Sequence, residues 1–326
     1  MRKVAQQMKS LPYRPEVNLQ QLHAFDECLR HIPGSWNSIG RSFIHAGAPG
    51  VIRLRWQIAG ERWCDEPGFL DFLDQRHHRL LLGCFLQEID DTDPAEDATS
   101  NWPRTWQTET LLKQMGPAIK ARQLAQALHF LELQEYIVAQ NPDEWASGSL
   151  LEHIEDLNPT FAWSVQAHLQ QSYHALVRRC VSFKEWQTTQ LNDLDVLAFT
   201  EDGRAIIVEC KLGQHVSLPQ VVRFVQRAQA FPADIALLLL DTEEEAPVIR
   251  LLQQINTILN RDELDLGHKY THKGSLLYHL TDNFYVANTA GGIASALEAA
   301  LQFGSNSQQS GKEAPNEKCS SPALAE

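Results

Sequence analysis

Apolar and polar residues recur along this chain with two different spacings, and each spacing predicts one kind of element. Apolar residues three and four positions apart predict a helix, because 3.6 residues complete one helical turn. Alternating stretches, and short runs that are apolar throughout, predict strands. In the first half these patterns predict a helix in residues 19–32, a hairpin in 50–66 and a buried strand in 80–87. Residues 109–139 are predicted to be helical, with a strand-like ending at 136–138.

The second half of the chain has a clearer order of elements. Two strands, at residues 194–199 and 205–211, are joined by the turn TEDGR. A helix with Ser217 as its N-cap and Pro219 in its first turn follows, and then a wholly apolar strand. Strands and helices that alternate around such a strand predict an α/β sheet covered on both faces. The remaining predicted elements are helices at residues 149–157, 161–180, 247–259 and 293–301 and strands at 234–241 and 283–289.

Differences in composition and pattern divide the chain into four parts. Residues 88–100 are rich in acids and contain a proline, which is typical of a loop. The helices that follow, with their closing strand, resemble the second half of a winged helix, although we favour a packed helical linker. The predicted parts are an α+β region of unknown role (1–100), a helical linker (101–148), an α/β domain (149–303) and a disordered polar tail (304–326).

Composition and charge exclude several classes of protein. With 43% apolar and 21% charged residues, the 326-residue chain has the composition of a globular protein. It has no apolar run long enough for a membrane helix and no secretory signal, so we expect no membrane association. Six scattered cysteines favour the reducing cytoplasm over a disulfide framework or zinc site. A net charge of −13 leaves no predicted domain basic, so bulk charge would not hold nucleic acid.

The stretch LNDLDVLAFTEDGRAIIVECKLG, residues 191–213, places charged side chains on the two strands of the predicted hairpin. Because side chains alternate along a strand, Asp193 and Asp195 share one face of the first strand. Glu209 and Lys211 share one face of the second strand for the same reason. The turn brings the two strands together, so the pattern predicts carboxylates and one ammonium group converging at the rim of a sheet.

Clustered carboxylates indicate a site for a hard cation. They repel each other unless a cation neutralises them, and their oxygen atoms select Mg²⁺ or Mn²⁺. Such an ion holds a phosphodiester oxygen and lowers the pKa of a water molecule. We therefore predict Asp195 and Glu209, with Asp193, as metal ligands. Lys211 would orient or deprotonate the water, or stabilise the charge that develops on phosphorus.

Asp195, Glu209 and Lys211 form the pattern D-x13-E-x-K, which resembles the active site of the PD-(D/E)XK nuclease superfamily, the fold of type II restriction enzymes. The segments NDLDVLA and IIVECK, together with the later segment DNFYVANTAGG, look most similar to the nuclease domains attached to CARF sensors in type III CRISPR systems. The resemblance covers residues 149–303. It implies a restriction-endonuclease-like core, a mixed sheet flanked by helices, and metal-dependent endonuclease activity in defence. Residues 1–148 do not resemble the sensor domain, so ligand-gated activation is not implied.

The chain departs from this superfamily at one position. Relatives usually supply another acid from the helix before the hairpin, but here that helix has Gln166 and Gln170. Glu152, on the preceding predicted helix, or Asp193 would have to substitute for the missing acid. The missing acid supports an alternative function, a nuclease-fold adaptor with weak or no activity that binds nucleic acid or a protein.

The helix after the second strand carries further candidates. Gln220 is predicted to lie near the metal, and Arg223 and Arg227, one turn apart, are predicted to hold phosphates. A solvated arginine face is the alternative for the two arginines. We interpret RHHR, residues 76–79, as a polar helix face and HKYTH, residues 268–272, as a surface loop rather than a metal site.

The predicted partner is nucleic acid, DNA rather than RNA. A homodimer would supply the two sites that cutting both strands requires, and it would line one groove with arginines from two chains. A transcription factor built on the central helices is a third interpretation, and it predicts sequence-specific binding to duplex DNA.

Overall fold

The computed structural model shows an α/β protein with one large mixed sheet and one small sheet. The predictions for residues 19–32, 50–66 and 88–100, for Glu152 and for residues 311–326 lie outside the described residues. Within the described part, no helix has the length and apolar character needed to cross a bilayer. The structure describes residues 42–46, 68–87, 105–148, 151, 157–185, 191–213, 216–231, 233–262, 265–281 and 283–310.

The described residues form strands and helices in the following order. The strands are β1 (Ser42–Ala46), β2 (Thr105–Gln107), β3 (Ile137–Asn141), β4 (Glu144–Ser147), β5 (Leu176–Glu185), β6 (Leu191–Phe199), β7 (Ala205–Leu212), β8 (Ile235–Asp241), β9 (His268–His272), β10 (Ser275–Thr281) and β11 (Phe284–Asn288). The helices are α1 (Phe69–Asp74), α2 (Arg76–Gln87), α3 (Thr108–Met115), α4 (Ala121–Leu133), α5 (Leu157–Tyr173), α6 (Leu218–Ala230), α7 (Glu245–Ile258) and α8 (Ile293–Ser310).

The large sheet has eight strands in the order β1-β5-β6-β7-β8-β11-β10-β9. The strands β7, β8 and β11 are parallel neighbours, and the other pairs are antiparallel. Every residue of β8 is buried, as expected for a strand covered on both faces. The prediction of a mixed α/β sheet flanked by helices is therefore confirmed.

Alternate residues of the central strands pack against different helices. Ile207 and Leu238 lie in one core with Phe224 of α6 and Leu252 of α7. Their neighbours along the strands lie in a second core, on the other face. The members of this second core include Ile206, Val208, Leu237, Val165 of α5 and Ala296 of α8. The charged residues of β7 share the first face, because they are two and four positions from Ile207.

The small sheet has the order β2-β4-β3. Together with the helices it follows the order α2-β2-α3-α4-β3-β4, which is the arrangement of a winged helix. Trp106, Leu111, Leu128 and Ile137 lie in one core shared by these elements. The segment for which we favoured a packed helical linker therefore contains three strands, which form a sheet beside its helices.

Three sequence predictions about elements are wrong. Residues 80–87 are helix, part of α2, because a short apolar run fits a buried helix as well as a strand. The helix predicted to reach residue 180 ends at Tyr173, where His174 adopts a positive φ of 50°, and β5 follows. Residues 268–272 form the edge strand β9, because Lys273 and Gly274 both adopt positive φ and close a tight hairpin.

The end of α8 differs from the predicted boundary. The predicted helix ended at residue 301 and the disordered tail began at 304, whereas α8 extends to Ser310. The polar residues GSNSQQ form no apolar stripe, so their pattern contains no helical signal.

Candidate functional site

The candidate site lies where β6 and β7 stop pairing. Their ladder ends at Val196 opposite Val208. Beyond this pair, β6 continues with β5 on one side and β7 continues with β8 on the other. The backbone N–H of Cys210, which is no longer in the ladder with β6, donates to Oδ2 of Asp195 at 2.8 Å. The side chain of Asp195 therefore supplies the acceptor for this N–H at the position where the β6–β7 ladder ends.

Four charged side chains meet at this position, and we call them the charged cluster: Asp195, Glu209, Lys211 and Arg227. Oε1 of Glu209 is 2.8 Å from Nζ of Lys211, and Oε2 of Glu209 is 2.7 Å from a terminal nitrogen of Arg227. Nζ of Lys211 is 4.0 Å from Oδ2 of Asp195. The structure thus brings Asp195, Glu209 and Lys211 together and adds a cation from α6.

The two carboxylates of the charged cluster differ in exposure. Glu209 is buried, with 5% of its surface exposed, whereas the side chain of Asp195 is 33% exposed. Burial and then the charge of Glu209 raise the pKa of Asp195 to about 6, although Lys211, the Cys210 N–H and Arg227 favour its ionised form. The cations of the cluster therefore do not fully offset the burial of Asp195 and its repulsion by Glu209.

Asp195 and Glu209 have the donor chemistry that a hard divalent cation needs. Mg²⁺ is commonly held by one or two carboxylates, and water and substrate phosphates complete its shell. The carboxylate of Glu209 contributes to the raised pKa of Asp195, as expected for two neighbouring carboxylates that could share a cation. Each carboxylate oxygen retains a second lone pair. Among the described residues, no group of three or more His, Cys, Asp and Glu is placed to hold a metal. The ion would thus depend on water and phosphate oxygens for its other ligands.

The additional acid predicted for this site is not found among the described side chains. Asp193 lies in β6 with its backbone opposite Ser182, but its side chain, like all of Glu152, is outside the described residues. Gln166 of α5 accepts from Nε of Arg179 at 2.7 Å and donates to Gln170. Gln166 is therefore bonded to an arginine of β5.

The three candidates on α6 have different positions. Oε1 of Gln220 accepts from the N–H and the hydroxyl of Ser217, both at 2.9 Å, so Gln220 closes the start of the helix. Arg223 is exposed, as a phosphate contact requires. Arg227 is bound to Glu209, which corrects the prediction that both arginines present one outward face.

The ion pair between Arg227 and Glu209 had a sequence signal that our prediction did not use. A carboxylate inside the apolar run AIIVEC needs a cation, because an unpaired buried charge is strongly destabilising. The next helix packs on that face of β7 and carries few cations. On this basis Arg227 could have been predicted as a partner of Glu209.

A second buried ionic group joins α2 to the carboxyl edge of the large sheet, and we call it the buried bridge: Arg79, Asp241 and Thr289. The guanidinium of Arg79 donates to Oδ1 of Asp241 at 2.5 Å and to Oγ1 of Thr289 at 2.9 Å. Arg79 and Asp241 are almost fully buried. The prediction that residues 76–79 form a polar helix face is therefore wrong for Arg79.

Comparisons with known proteins show no family for this chain. No protein-family model and no curated protein matches its sequence. Among solved structures, protein VC1899 from Vibrio cholerae matches 81% of this chain with 13% identical residues and a TM-score of 0.39. The match covers 59% of VC1899, less than two thirds of that chain. At this TM-score the similarity carries no argument about fold or function.

Proposed function

We propose that this protein is a Mg²⁺- or Mn²⁺-dependent nuclease that hydrolyses phosphodiester bonds, DNA rather than RNA. The observation that supports the proposal is the convergence of Asp195, Glu209 and Lys211 at the end of the β6–β7 ladder. Two carboxylates and a lysine in contact provide metal ligands and a group that acts on water. The pattern D-x13-E-x-K is the supporting sequence observation.

Each residue of the charged cluster has a role in this proposal. Asp195 and Glu209 would hold the ion, which supplies a water of lowered pKa and a contact to a phosphate oxygen when bound. Lys211 orients that water, accepts its proton or stabilises the charge developing on phosphorus. Arg227 holds the Glu209 carboxylate in place through its contact at 2.7 Å. The exposed Arg223 would contact a phosphate.

We also propose an oligomeric state, a cellular compartment and a biological role for this nuclease. In this proposal the protein acts as a homodimer, which would line one groove with arginines from two chains. Two sites would also serve the two strands of a duplex. We place the activity in the cytoplasm, where scattered cysteines stay reduced, and in defence, as the superfamily resemblance implies.

Incubation of the purified protein with divalent cations and nucleic acid tests this function. The substrates are plasmid, single-stranded DNA and RNA, each with Mg²⁺ or Mn²⁺. We expect Lys211→Ala and Asp195→Asn to lower the cleavage rate by about 10²-fold or more, because each removes a group that acts on the reacting water or its metal. Gel electrophoresis of timed samples measures the rate.

Arg250→Ala is the matched control, because Arg250 is an exposed arginine of α7. It should cleave as the wild type does. Equal cleavage by wild type, Lys211→Ala and Asp195→Asn would refute the nuclease proposal.

The adaptor function is the second candidate, and the contact between Gln166 and Arg179 supports it. A glutamine bonded to an arginine cannot replace a carboxylate ligand. This alternative predicts a wild type that is inert on every substrate and binds one of them. It also predicts that Mn²⁺ does not change the affinity for that substrate.

A further inference from the structure

The winged-helix elements of residues 76–147 form a module that the proposed chemistry does not use. The buried side of α4 consists of Leu124, Ala127, Leu128 and Leu131, which pack into the core of this module. A helix fixed on one side has a defined outer side. In helix-turn-helix proteins, the second helix of the pair places that side in the major groove of DNA. In this chain α4 occupies that position.

The outer side of α4 carries side chains of the types that contact base edges in DNA-binding proteins. Arg122, Gln126 and His129 are exposed and recur at four- and three-residue intervals, which places them along one stripe. Arginine donates to guanine and glutamine bonds to adenine in the major groove. Ala125 is also exposed and is small, so it does not hold the helix away from the bases.

Positive charge is concentrated around the start of α4. Lys113, Lys120 and Arg122 are all exposed, and Glu109 is the sole acid in residues 108–131. The other carboxylates of the module are in the acid-rich stretch 88–100 and from residue 132 onwards. Although the whole chain is acidic, this surface complements a phosphate backbone.

The module is fixed to the large sheet. Leu81, Leu82 and Phe85 of α2 lie in the core of the module, while Arg79 of the same helix belongs to the buried bridge. Trp163 of α5 also lies in that core. A ligand held on α4 would therefore be held by the same body that carries the charged cluster.

We propose that α4 is a recognition helix that binds duplex DNA in the major groove. Arg122 and Gln126 contact base edges, and Lys113 and Lys120 contact phosphates. This binding site is separate from the charged cluster and does not depend on the nuclease proposal.

Fluorescence anisotropy with the full-length chain tests this proposal. The probe is a fluorescein-labelled duplex with a randomised centre, in EDTA, so that cleavage does not contribute. We expect the wild type to bind and its affinity to fall with salt. The double variant Arg122→Ala/Gln126→Ala should bind at least about 10-fold more weakly, because it loses two base-edge contacts. Lys120→Ala should weaken binding to all sequences and reduce the salt slope by about 1.

Arg250→Ala is the control for this experiment. It removes an exposed positive charge from α7, outside the module, so it should bind as the wild type does. Circular dichroism melting shows whether the α4 variants are folded. The proposal is overturned if the wild type does not bind the duplex, or if Arg122→Ala/Gln126→Ala binds as the wild type does. Equal binding with altered sedimentation would assign this face to a protein contact and would also overturn it.

Discussion

Glu209 is a charged residue inside a strand whose other residues are mostly apolar and buried. Each of its carboxylate oxygens contacts a different cation, Lys211 or Arg227. Such buried ion pairs seldom stabilise a fold more than apolar residues of the same size would. Their concentration beside the part-exposed Asp195 is therefore better explained by chemistry than by stability.

Asp195→Asn should make the metal-free protein more stable at about pH 8. Asp195 has a raised pKa of about 6 against its usual value of 3.8, so the folded protein binds its proton more tightly than the unfolded chain does. Its contribution to stability is present below about pH 4 and is lost as the pH rises through 6. The variant removes this loss, which is about 1–2 kcal/mol after screening by solvent is allowed for. Urea unfolding in EDTA measures it.

The gain should shrink as the pH falls from 6 towards 4, because the Asp195 carboxyl of the folded protein then becomes protonated and no longer places a disfavoured charge beside Glu209. Asp202→Asn is the control of opposite sign. Burial raises the pKa of Asp202, but hydrogen bonds from Thr200 and the charge of Arg204 lower it below its usual range. Asp202→Asn should therefore lose stability above about pH 4. Loss of stability in Asp195→Asn at high pH would contradict the raised pKa of Asp195 in the folded protein.

At the scale of elements, a capping rule accounts for Gln220 at the start of α6, a residue that we had predicted to lie near the metal. Ser217 and Gln220 stand at the N-cap and three residues later, which is the spacing of a capping box. The glutamine is bonded to Ser217, so it is not directed at a metal. β7 ends at Leu212, and the cap fixes where the helix begins.

Gln220→Ala should lower the free energy of unfolding by about 0.5–1 kcal/mol, because the N–H of Ser217 loses its acceptor. The Mn²⁺ concentration that gives half-maximal cleavage should stay the same. Urea unfolding and a metal titration measure the two quantities. Gln220→Glu keeps an acceptor oxygen and should retain stability. A shift in metal dependence with Gln220→Ala would restore Gln220 to the metal site.

At the scale of the whole molecule, the buried bridge connects two parts that are far apart in sequence. Arg79 on α2 pairs with Asp241 at the carboxyl end of β8. Asp74, before the same helix, accepts from the N–H of Ala294 in α8 and lies 3.5 Å from Nε2 of His168. The helices of the winged-helix module and the large sheet therefore share one interior.

Arg79→Met should destabilise the protein by about 3–5 kcal/mol, because it leaves Asp241 buried without its cation. Urea unfolding measures the change. The double variant Arg79→Met/Asp241→Asn should recover part of the loss, since no charge then remains buried. Arg76→Met is the comparison variant: Arg76 lies 3.9 Å from Oδ1 of Asp241, so its loss should cost less. An Arg79→Met protein as stable as the wild type would show that the bridge does not join the two parts.

The sequence alone was sufficient for the central part of the fold. The β6–β7 hairpin, the cap and extent of α6 and the buried strand β8 were predicted, because each depends on neighbours within a few residues. Alternation along two strands joined by a short turn also placed Asp195, Glu209 and Lys211 on one side. Their convergence followed from these local rules.

Contacts between distant residues could be known only from the tertiary structure. The pairing of Arg179 with Gln166 and of Arg79 with Asp241 depends on which elements pack together. The same is true of α2, whose apolar run is helical because the winged-helix core surrounds it. Local periodicity says which side of an element is buried, but it does not say what lies against that side. Packing supplies that information, because a buried charge is stable only where the fold brings a partner to it.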